Sequence, residues 1–304
     1  MRKPVPVVVP FAGLVAAALA FAACDITIGA SEYSVREEKT FTVSGAPQLA
    51  LSTFDGSIEV RGWDRGEVVV EVEKVGPDQA TVERIQVTAT RNGDAITIDV
   101  RKPSPFERTG MRRTPSANLV VSVPLKSAIV ARSGDGSISI RRVTGPLDLD
   151  TEDGSLRVVD VAGPLVARTG DGDVIGQKMD GQAEIHTGDG VVGLDGVFTA
   201  LMIETRDGAV EVTARRGSRT DGEWDVTTGD GDIRVELPEG FGAEADARTA
   251  DGRIRARNLG VEAGDTGRHD HDADAARFLI GGGGKMMRLR TNSGSITIVG
   301  QAGQ

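Results

Sequence analysis

Apolar residues recur along the chain in pairs whose members are separated by one residue, so both side chains lie on the same side of a β-strand. Each repeating unit holds one such pair before an Asp–Gly dipeptide and one after it. The pairs before it are Leu147 and Leu149, Leu165 and Ala167, Ala183 and Ile185, Leu201 and Ile203, and Trp224 and Val226. The pairs after it are Ile58 and Val60, Ile138 and Ile140, Leu156 and Val158, Val192 and Leu194, Val210 and Val212, and Ile233 and Val235. The pattern predicts two short strands per unit, each with one apolar face.

The Asp–Gly dipeptides set the length of the unit. From Asp135 to Asp207, each copy follows the previous one after 18 residues. The next copies, at Asp230 and Asp251, follow after 23 and 21 residues. Eight copies share the repeat register: Asp55 and Gly56, Asp135 and Gly136, Asp153 and Gly154, Asp171 and Gly172, Asp189 and Gly190, Asp207 and Gly208, Asp230 and Gly231, and Asp251 and Gly252. Ser293 and Gly294 form a late variant. A hydroxyl residue stands two positions before each copy: Thr53, Ser133, Thr151, Thr169, Thr187, Thr205, Thr228, Thr249 and Thr291.

A strand pair with one apolar face cannot bury that face alone, but stacked copies can bury it together. The sequence therefore predicts an all-β fold, a β-solenoid (β-helix) with coils of about 18 residues and a narrow aliphatic core. Gly145, Gly163 and Gly181 mark a second turn in each coil. The alternative is a meander of antiparallel hairpins, because Asp–Gly also favours hairpin turns.

The repeat also divides the chain. Residues 1–23 are interpreted as a signal peptide, and residues 24–45 as a lipid-anchor tether. Residues 46–130 are expected to form an N-terminal β cap with the first coil, and residues 131–300 the solenoid repeats. Residues 257–285 interrupt the repeat and are predicted to be an inserted loop.

The N-terminus has the features of an export signal. Arg2 and Lys3 precede an uncharged, mostly apolar run that ends in small residues before Cys24. A cysteine in that place resembles a bacterial lipobox, where the thiol receives the lipid. We therefore expect an exported, membrane-anchored lipoprotein of the bacterial cell envelope. Plain cleavage and a retained membrane-spanning helix remain alternatives.

Composition excludes several classes of protein. The net charge of -10 argues against a nucleic-acid partner, which needs a basic face. Aromatic residues make up only 4% of the chain, which suits a thin aliphatic core. The single cysteine excludes an internal disulfide and a zinc site built from several cysteines.

The coil Thr-x-Asp/Ser-Gly-x-Ile/Val-x-Val, in a chain that carries Leu119-Val120-Val121-Ser122-Val123-Pro124 before the regular coils, resembles the bacterial "putative adhesin" family of β-strand-repeat proteins. The resemblance covers about residues 46–300. It implies an exported or membrane-attached protein of undefined biochemical role, and it supplies no catalytic motif.

Two groups of residues are candidates for chemistry. Stacked coils would align the Asp side chains, and calcium would suit such a column of oxygen ligands. The interpretation we favour is structural: Asp accepts backbone hydrogen bonds in the turn and Gly adopts a positive φ. The aligned hydroxyl residues could likewise form an exposed threonine array of the ice-binding type, or simply favour strands. His269, Asp270, His271 and Asp272 could bind a transition metal, but their alternation in a Gly-rich segment favours a solvated acidic loop.

No nucleophile elbow or phosphate-binding loop is present in the sequence. We therefore expect a non-enzymatic envelope protein without a cofactor, which presents its solenoid to a protein or a glycan. A calcium-dependent β-helix that binds or cleaves polysaccharides is the first alternative. A self-assembling envelope scaffold is the second, because the ends of solenoids can stack.

Overall fold

A computed structural model describes residues 24–29, 32–102, 114–259 and 274–301. The N-terminal part contains β1 (Cys24–Gly29), β2 (Glu32–Thr42), β3 (Gln48–Thr53), β4 (Ile58–Trp63), β5 (Glu67–Gly76), α1 (Gln79–Glu83), β6 (Gln86–Asn92), β7 (Ala95–Arg101) and β8 (Ser116–Pro124). The middle contains β9 (Ala128–Ser133), β10 (Ile138–Thr144), β11 (Leu147–Thr151), β12 (Leu156–Ala162), β13 (Leu165–Arg168), β14 (Val174–Thr187), β15 (Val192–Thr205) and β16 (Val210–Ala214). The last part contains β17 (Trp224–Thr228), β18 (Ile233–Leu237), β19 (Ala243–Thr249), β20 (Ile254–Arg257), β21 (Ala275–Ile280), β22 (Met286–Thr291) and β23 (Ile296–Gly300).

The strands form two faces that meet at the Asp–Gly turns, which we call the Asp–Gly corner. Strands that precede the dipeptides form the pre-corner face, and strands that follow them form the post-corner face. The long strands β14 and β15 begin on the post-corner face and end on the pre-corner face. Neighbouring coils pair in parallel: Leu147 lies opposite Leu165, and Ile138 lies opposite Leu156, each 18 residues further on. The apolar pairs of both faces point inward and are buried. The protein is therefore nearly all-β with a solenoid-like stack, and the antiparallel meander is wrong.

The second corner of the coils is marked by glycines with positive φ: 143° at Gly145, 126° at Gly163 and 146° at Gly181. Three residues before each of them, a non-glycine residue also adopts a left-handed conformation. Those residues are Arg142, Asp160 and Lys178. Each makes a bulge with two successive outward side chains, and the next residue returns to the core.

Close approach between coils explains the glycines of the Asp–Gly corner. A Cβ added to Gly172 would lie 2.2 Å from the carbonyl oxygen of Gly154, and one added to Gly190 would lie 2.0 Å from that of Gly172. Real Cβ atoms do not come so near to a backbone oxygen. Of the eight glycines, only Gly56 has a positive φ, at 126°. The expectation that positive φ requires these residues is therefore wrong for the other seven.

The hydroxyl residues of the repeat join each coil to the one before it. The Thr169 hydroxyl donates to the Gly154 carbonyl at 2.9 Å and accepts from the Gly172 amide at 3.2 Å. The Thr187 hydroxyl donates in the same way to Gly172 at 3.0 Å. All nine hydroxyl residues of this column are buried. An exposed threonine array is therefore excluded, because these side chains satisfy backbone groups inside the corner.

The order of the coils departs from the order of the chain at both ends. The strands β3 and β4 lie between the β7–β8 coil and the β9–β10 coil. At the other end, β22 and β23 lie between the β17–β18 coil and the β19–β20 coil. The stack along the Asp–Gly corner thus runs from Asp230 to Ser293 and then back to Asp251.

Two segments differ from the sequence-based expectation. In place of a tether over 24–45, the structure has β1 and β2, because β2 pairs with β5 over ten residues from Tyr33 to Thr42. In place of an uninterrupted loop over 257–285, it has β21, which pairs antiparallel with β19. Ala276, Phe278 and Ile280 alternate along β21 on the side of the core and carry a strand signal that the glycine-rich surroundings obscure.

The coil order can be tested with cysteine pairs on the pre-corner face, in a Cys24→Ser background. Thr227 on β17 and Arg290 on β22 are direct neighbours. Arg248 on β19 lies on the far side of β22, so its Cα atom is two strand spacings, or about 9.6 Å, from that of Thr227. Disulfides do not bridge Cα atoms more than about 7 Å apart. Oxidation is expected to join Thr227→Cys to Arg290→Cys, but not Thr227→Cys to Arg248→Cys, as read by peptide mass spectrometry. The opposite result would mean that the coils follow chain order.

Candidate functional site

The Asp–Gly corner aligns the eight aspartates in one column along the stack. Gly136 packs on Gly56, Gly294 on Gly231, and Gly252 on Gly294, so Ser293 occupies one place in the column. Adjacent coils are about 4.8 Å apart, at which distance unscreened carboxylates repel each other. All of these aspartates are exposed except Asp55, which is half-buried.

Repulsion within the column is visible at its N-terminal end. Burial raises the pKa of Asp55 above its usual value, and the neighbouring charge of Asp135 raises it further. Lys102 and a hydrogen bond from the Gly56 amide act in the opposite direction. Charge at this point of the column is therefore unfavourable to the folded protein at neutral pH.

One arginine offsets part of the negative charge in the middle of the column. The guanidinium of Arg206 lies 2.6 Å from Asp189, and 3.8 Å from both Asp171 and Asp207. The hydrogen bond and charge of Asp189 raise the pKa of Arg206 above its usual value. One side chain thus contacts three consecutive carboxylates and supplies the positive charge that a bound cation would otherwise provide.

Beside the column runs an open groove of about 900 Å³, which we call the corner groove. It crosses six coils, a length of about 24 Å at the usual strand spacing. Its floor includes Gly170, Gly188 and Gly229, which directly precede aspartates of the column. The other lining residues are of polar type, and six of them are the buried corner threonines Thr151, Thr169, Thr187, Thr205, Thr228 and Thr291. The rest are Asp150, Glu152, Arg168, His186, Glu204, Arg206, Thr227, Arg290 and Asn292.

Contacts of His186 and Arg168 with carboxylates hold the side chains of one groove wall in place. His186 contacts two carboxylates, with Nε2 3.1 Å from Glu184 and Nδ1 3.4 Å from Glu204. Arg168 lies 3.4 Å from the same Glu184 and 3.3 Å from Asp148. The contacts cross four coils, so they fix the wall relative to the stack as a whole. Because every member is partly exposed, each pair adds little to the free energy of unfolding.

The structure brings the Asp–Gly residues together but does not gather the other candidates. His269, Asp270, His271 and Asp272 lie outside the described residues, as does the segment 1–23. Cys24 is the first residue of β1. Within the described part of the chain, no cluster of three or more His, Cys, Asp or Glu side chains could hold a metal ion. None of the described helices is long and apolar enough to cross a membrane.

The groove wall is the feature that sequence reasoning missed. His186, Glu204 and Arg290 all stand three positions before an Asp–Gly or Ser–Gly dipeptide, in a column that points outward. This column could have been identified from its fixed position, three residues before each corner dipeptide. It was overlooked because its residue types vary from coil to coil, whereas the Asp and Gly columns are nearly uniform.

Solved structures of similar proteins share low sequence identity with this chain. A "putative adhesin" from Bacteroides fragilis is 14% identical, with a TM-score of 0.47, over 88% of this chain and 97% of that one. A "putative lipid binding protein" from Parabacteroides distasonis is 12% identical, with a TM-score of 0.43, over 86% and 96%. A "putative cell adhesion protein" from Clostridium sporogenes is 13% identical, with a TM-score of 0.27, over 88% and 100%. Such values carry no conclusion about ligand or mechanism. No curated protein sequence matches this chain.

A family profile described as Toastrack DUF4097 matches residues 47–299. The matched region contains every Asp–Gly dipeptide, the late Ser293–Gly294 variant and the whole corner groove. It covers well over half of the chain, so the protein belongs to the Toastrack DUF4097 family.

Proposed function

We propose that this protein is a non-enzymatic, lipid-anchored envelope protein that binds an extended glycan in the corner groove. The observation that carries the proposal is the balance of charge within a long polar groove. Its carboxylates are Asp150, Glu152 and Glu204, and its guanidiniums are Arg168, Arg206 and Arg290. The lining residues thus carry three negative and three positive side chains, so the lining itself has no net charge.

The groove is rich in groups that suit a neutral, hydroxyl-rich chain. Carboxylates accept hydrogen bonds, guanidiniums donate them, and the His186 ring and Asn292 amide can do both. Coils follow one another at a constant step, so a polymer that lies along the stack would meet polar groups at regular intervals. Several modest contacts along one chain then act together. An extended protein segment is the alternative occupant of the same groove.

The proposed anchor is a lipid on Cys24. Cys24 begins β1, which pairs with β2 from its first residue. With a lipid on this residue, the β-structure would stand directly on the membrane surface without an intervening tether. Replacing Cys24 with Ser is expected to move the protein from the membrane fraction to the soluble fraction. Unchanged fractionation would contradict lipid anchoring.

Binding in the groove can be tested with the double variant His186→Ala, Asn292→Ala. Both residues line the groove, and neither belongs to the core. Isothermal titration calorimetry with a panel of neutral and acidic oligosaccharides is expected to detect binding of a neutral one, and the variant is expected to weaken it at least tenfold, or about 1.4 kcal/mol.

The matched control is Arg141→Ala, on the post-corner face, where Arg141 pairs with Glu59 outside the groove. This variant should bind as the wild type does. The proposal is wrong if no neutral oligosaccharide binds, or if the groove variant and the control lose affinity equally.

A calcium-dependent, polysaccharide-active β-helix is the competing function. The position of Arg206 argues against it, because this guanidinium already lies among Asp171, Asp189 and Asp207. We expect calcium to leave the melting temperature of the wild type unchanged.

The variant Arg206→Gln removes the positive charge from the column. It is expected to melt at a lower temperature than the wild type, and calcium is expected to restore part of the loss. Arg132→Gln, whose side chain lies 4.0 Å from Asp148, serves as a control without this response. A marked calcium-dependent rise in the wild-type melting temperature would favour the competing function.

A further inference from the structure

The strand β20 ends the post-corner face at the C-terminal end of the stack. It pairs in parallel with β23, where Arg255 lies opposite Thr297 and Arg257 opposite Val299. No other described strand pairs with β20. Its second edge therefore presents backbone donors and acceptors that the described ladders do not use, and such an edge is a template for another strand.

Arginine occupies alternate positions along this edge strand. Arg253 directly precedes β20, and Arg255 and Arg257 lie within it on the outward side, while Ile254 points to the core. The facing residues of the neighbouring chain segment are Ser295, Thr297 and Val299, none of which carries a charge. Arg255 and Arg257 thus face no carboxylate on the adjacent strand.

Three arginines on other strands, Arg91, Arg142 and Arg157, likewise make no ion pair among the described residues. Most of the remaining arginines on or directly after the described strands stand beside carboxylates. Such pairs are Arg61 with Glu59, Arg141 with Glu59, Arg168 with Asp148, Arg206 with Asp189, Arg215 with Asp195, Arg234 with Glu236, Arg248 with Asp246, Arg277 with Glu244 and Arg288 with Glu223. Among the described residues, Arg255 and Arg257 make no ion pair. In a chain of net charge -10, two such arginines on one edge strand form a local positive site.

We propose that β20 is a docking strand for an extended, acidic segment of a partner protein, independent of the corner groove. The segment would add to the edge of β20 that no described strand occupies, and its backbone would pair with that of β20. Carboxylates at alternate positions would then face Arg255 and Arg257 across the ladder, at the distance where opposite charges stabilise a strand pair. The negative charge elsewhere on the protein directs an acidic segment to this end of the stack.

Charged edge residues have another known role, which is to prevent strands from pairing with copies of themselves. The two roles differ in what they predict. If Arg255 and Arg257 only protect the edge, β20 binds no peptide, and replacing these arginines lets copies of the chain associate. If Arg255 and Arg257 serve docking, β20 binds an acidic strand, and replacing these arginines abolishes that binding.

The proposal is tested with fluorescently labelled peptides of about eight residues in which Glu alternates with Thr or Val. Fluorescence anisotropy is expected to show that the full-length protein binds this peptide at least tenfold more tightly than the peptide with Gln in place of Glu. N-methylation of alternate amides should abolish binding, because it removes the hydrogen bonds of the ladder. Dextran sulfate, a polyanion without a peptide backbone, should compete poorly.

The double variant Arg255→Gln, Arg257→Gln is expected to lose at least tenfold in affinity for the Glu peptide. Its control is Arg141→Gln, Arg157→Gln, which removes two charges from the same face in the middle of the stack and should bind normally. Circular dichroism verifies that both variants are folded. The inference is overturned if the wild type does not bind the Glu peptide, if dextran sulfate competes as well as the peptide, or if the Arg255 and Arg257 variant only gains self-association.

Discussion

Contact between the backbones of successive coils at the Asp–Gly corner is the constraint on which this structure depends. The carbonyl oxygen of one glycine lies where a Cβ of the next glycine would be, so no larger residue fits. A buried threonine hydroxyl joins the same two coils, because it donates to the earlier coil and accepts from its own. The corner therefore fixes the distance between successive coils. The apolar pairs, the aspartate column and the corner groove take their spacing from it.

The order of the last coils separates like charges that chain order would bring together. If β19 followed β17 directly, Asp225 would face Asp246, and Asp230 would face Asp251. The inserted coil instead places Arg288 between Asp225 and Asp246, and Ser293 between Asp230 and Asp251. Its apolar residues Met287 and Leu289 continue the core. The insertion preserves burial and replaces two like-charge contacts with neutral or attractive ones. It also leaves β20 as the edge strand, with its arginines beside an uncharged neighbour.

The sequence predicted the all-β repeat well, because strand pairs, corner glycines and buried hydroxyl residues recur at one interval. It predicted the role of the glycines less well, since close approach between coils requires knowledge of the neighbouring coil. The order of the terminal coils was beyond prediction, because all coils share one signature and only side chains such as Arg288 distinguish them. The groove wall was missed for a related reason: His186, Glu204 and Arg290 differ in type, although they share one register position.

The central claim, that the glycines are required by the contact between coils, is tested most directly by comparing Gly172→Ala with Gly282→Ala. A Cβ at position 172 would lie 2.2 Å from the Gly154 carbonyl oxygen, whereas one at position 282 would have no neighbour within 4 Å. Neither glycine has a positive φ. The account predicts that Gly172→Ala lowers the free energy of unfolding by about 1–3 kcal/mol, as overpacking does, while Gly282→Ala leaves it nearly unchanged. Equal stability of the two variants in urea unfolding would contradict it.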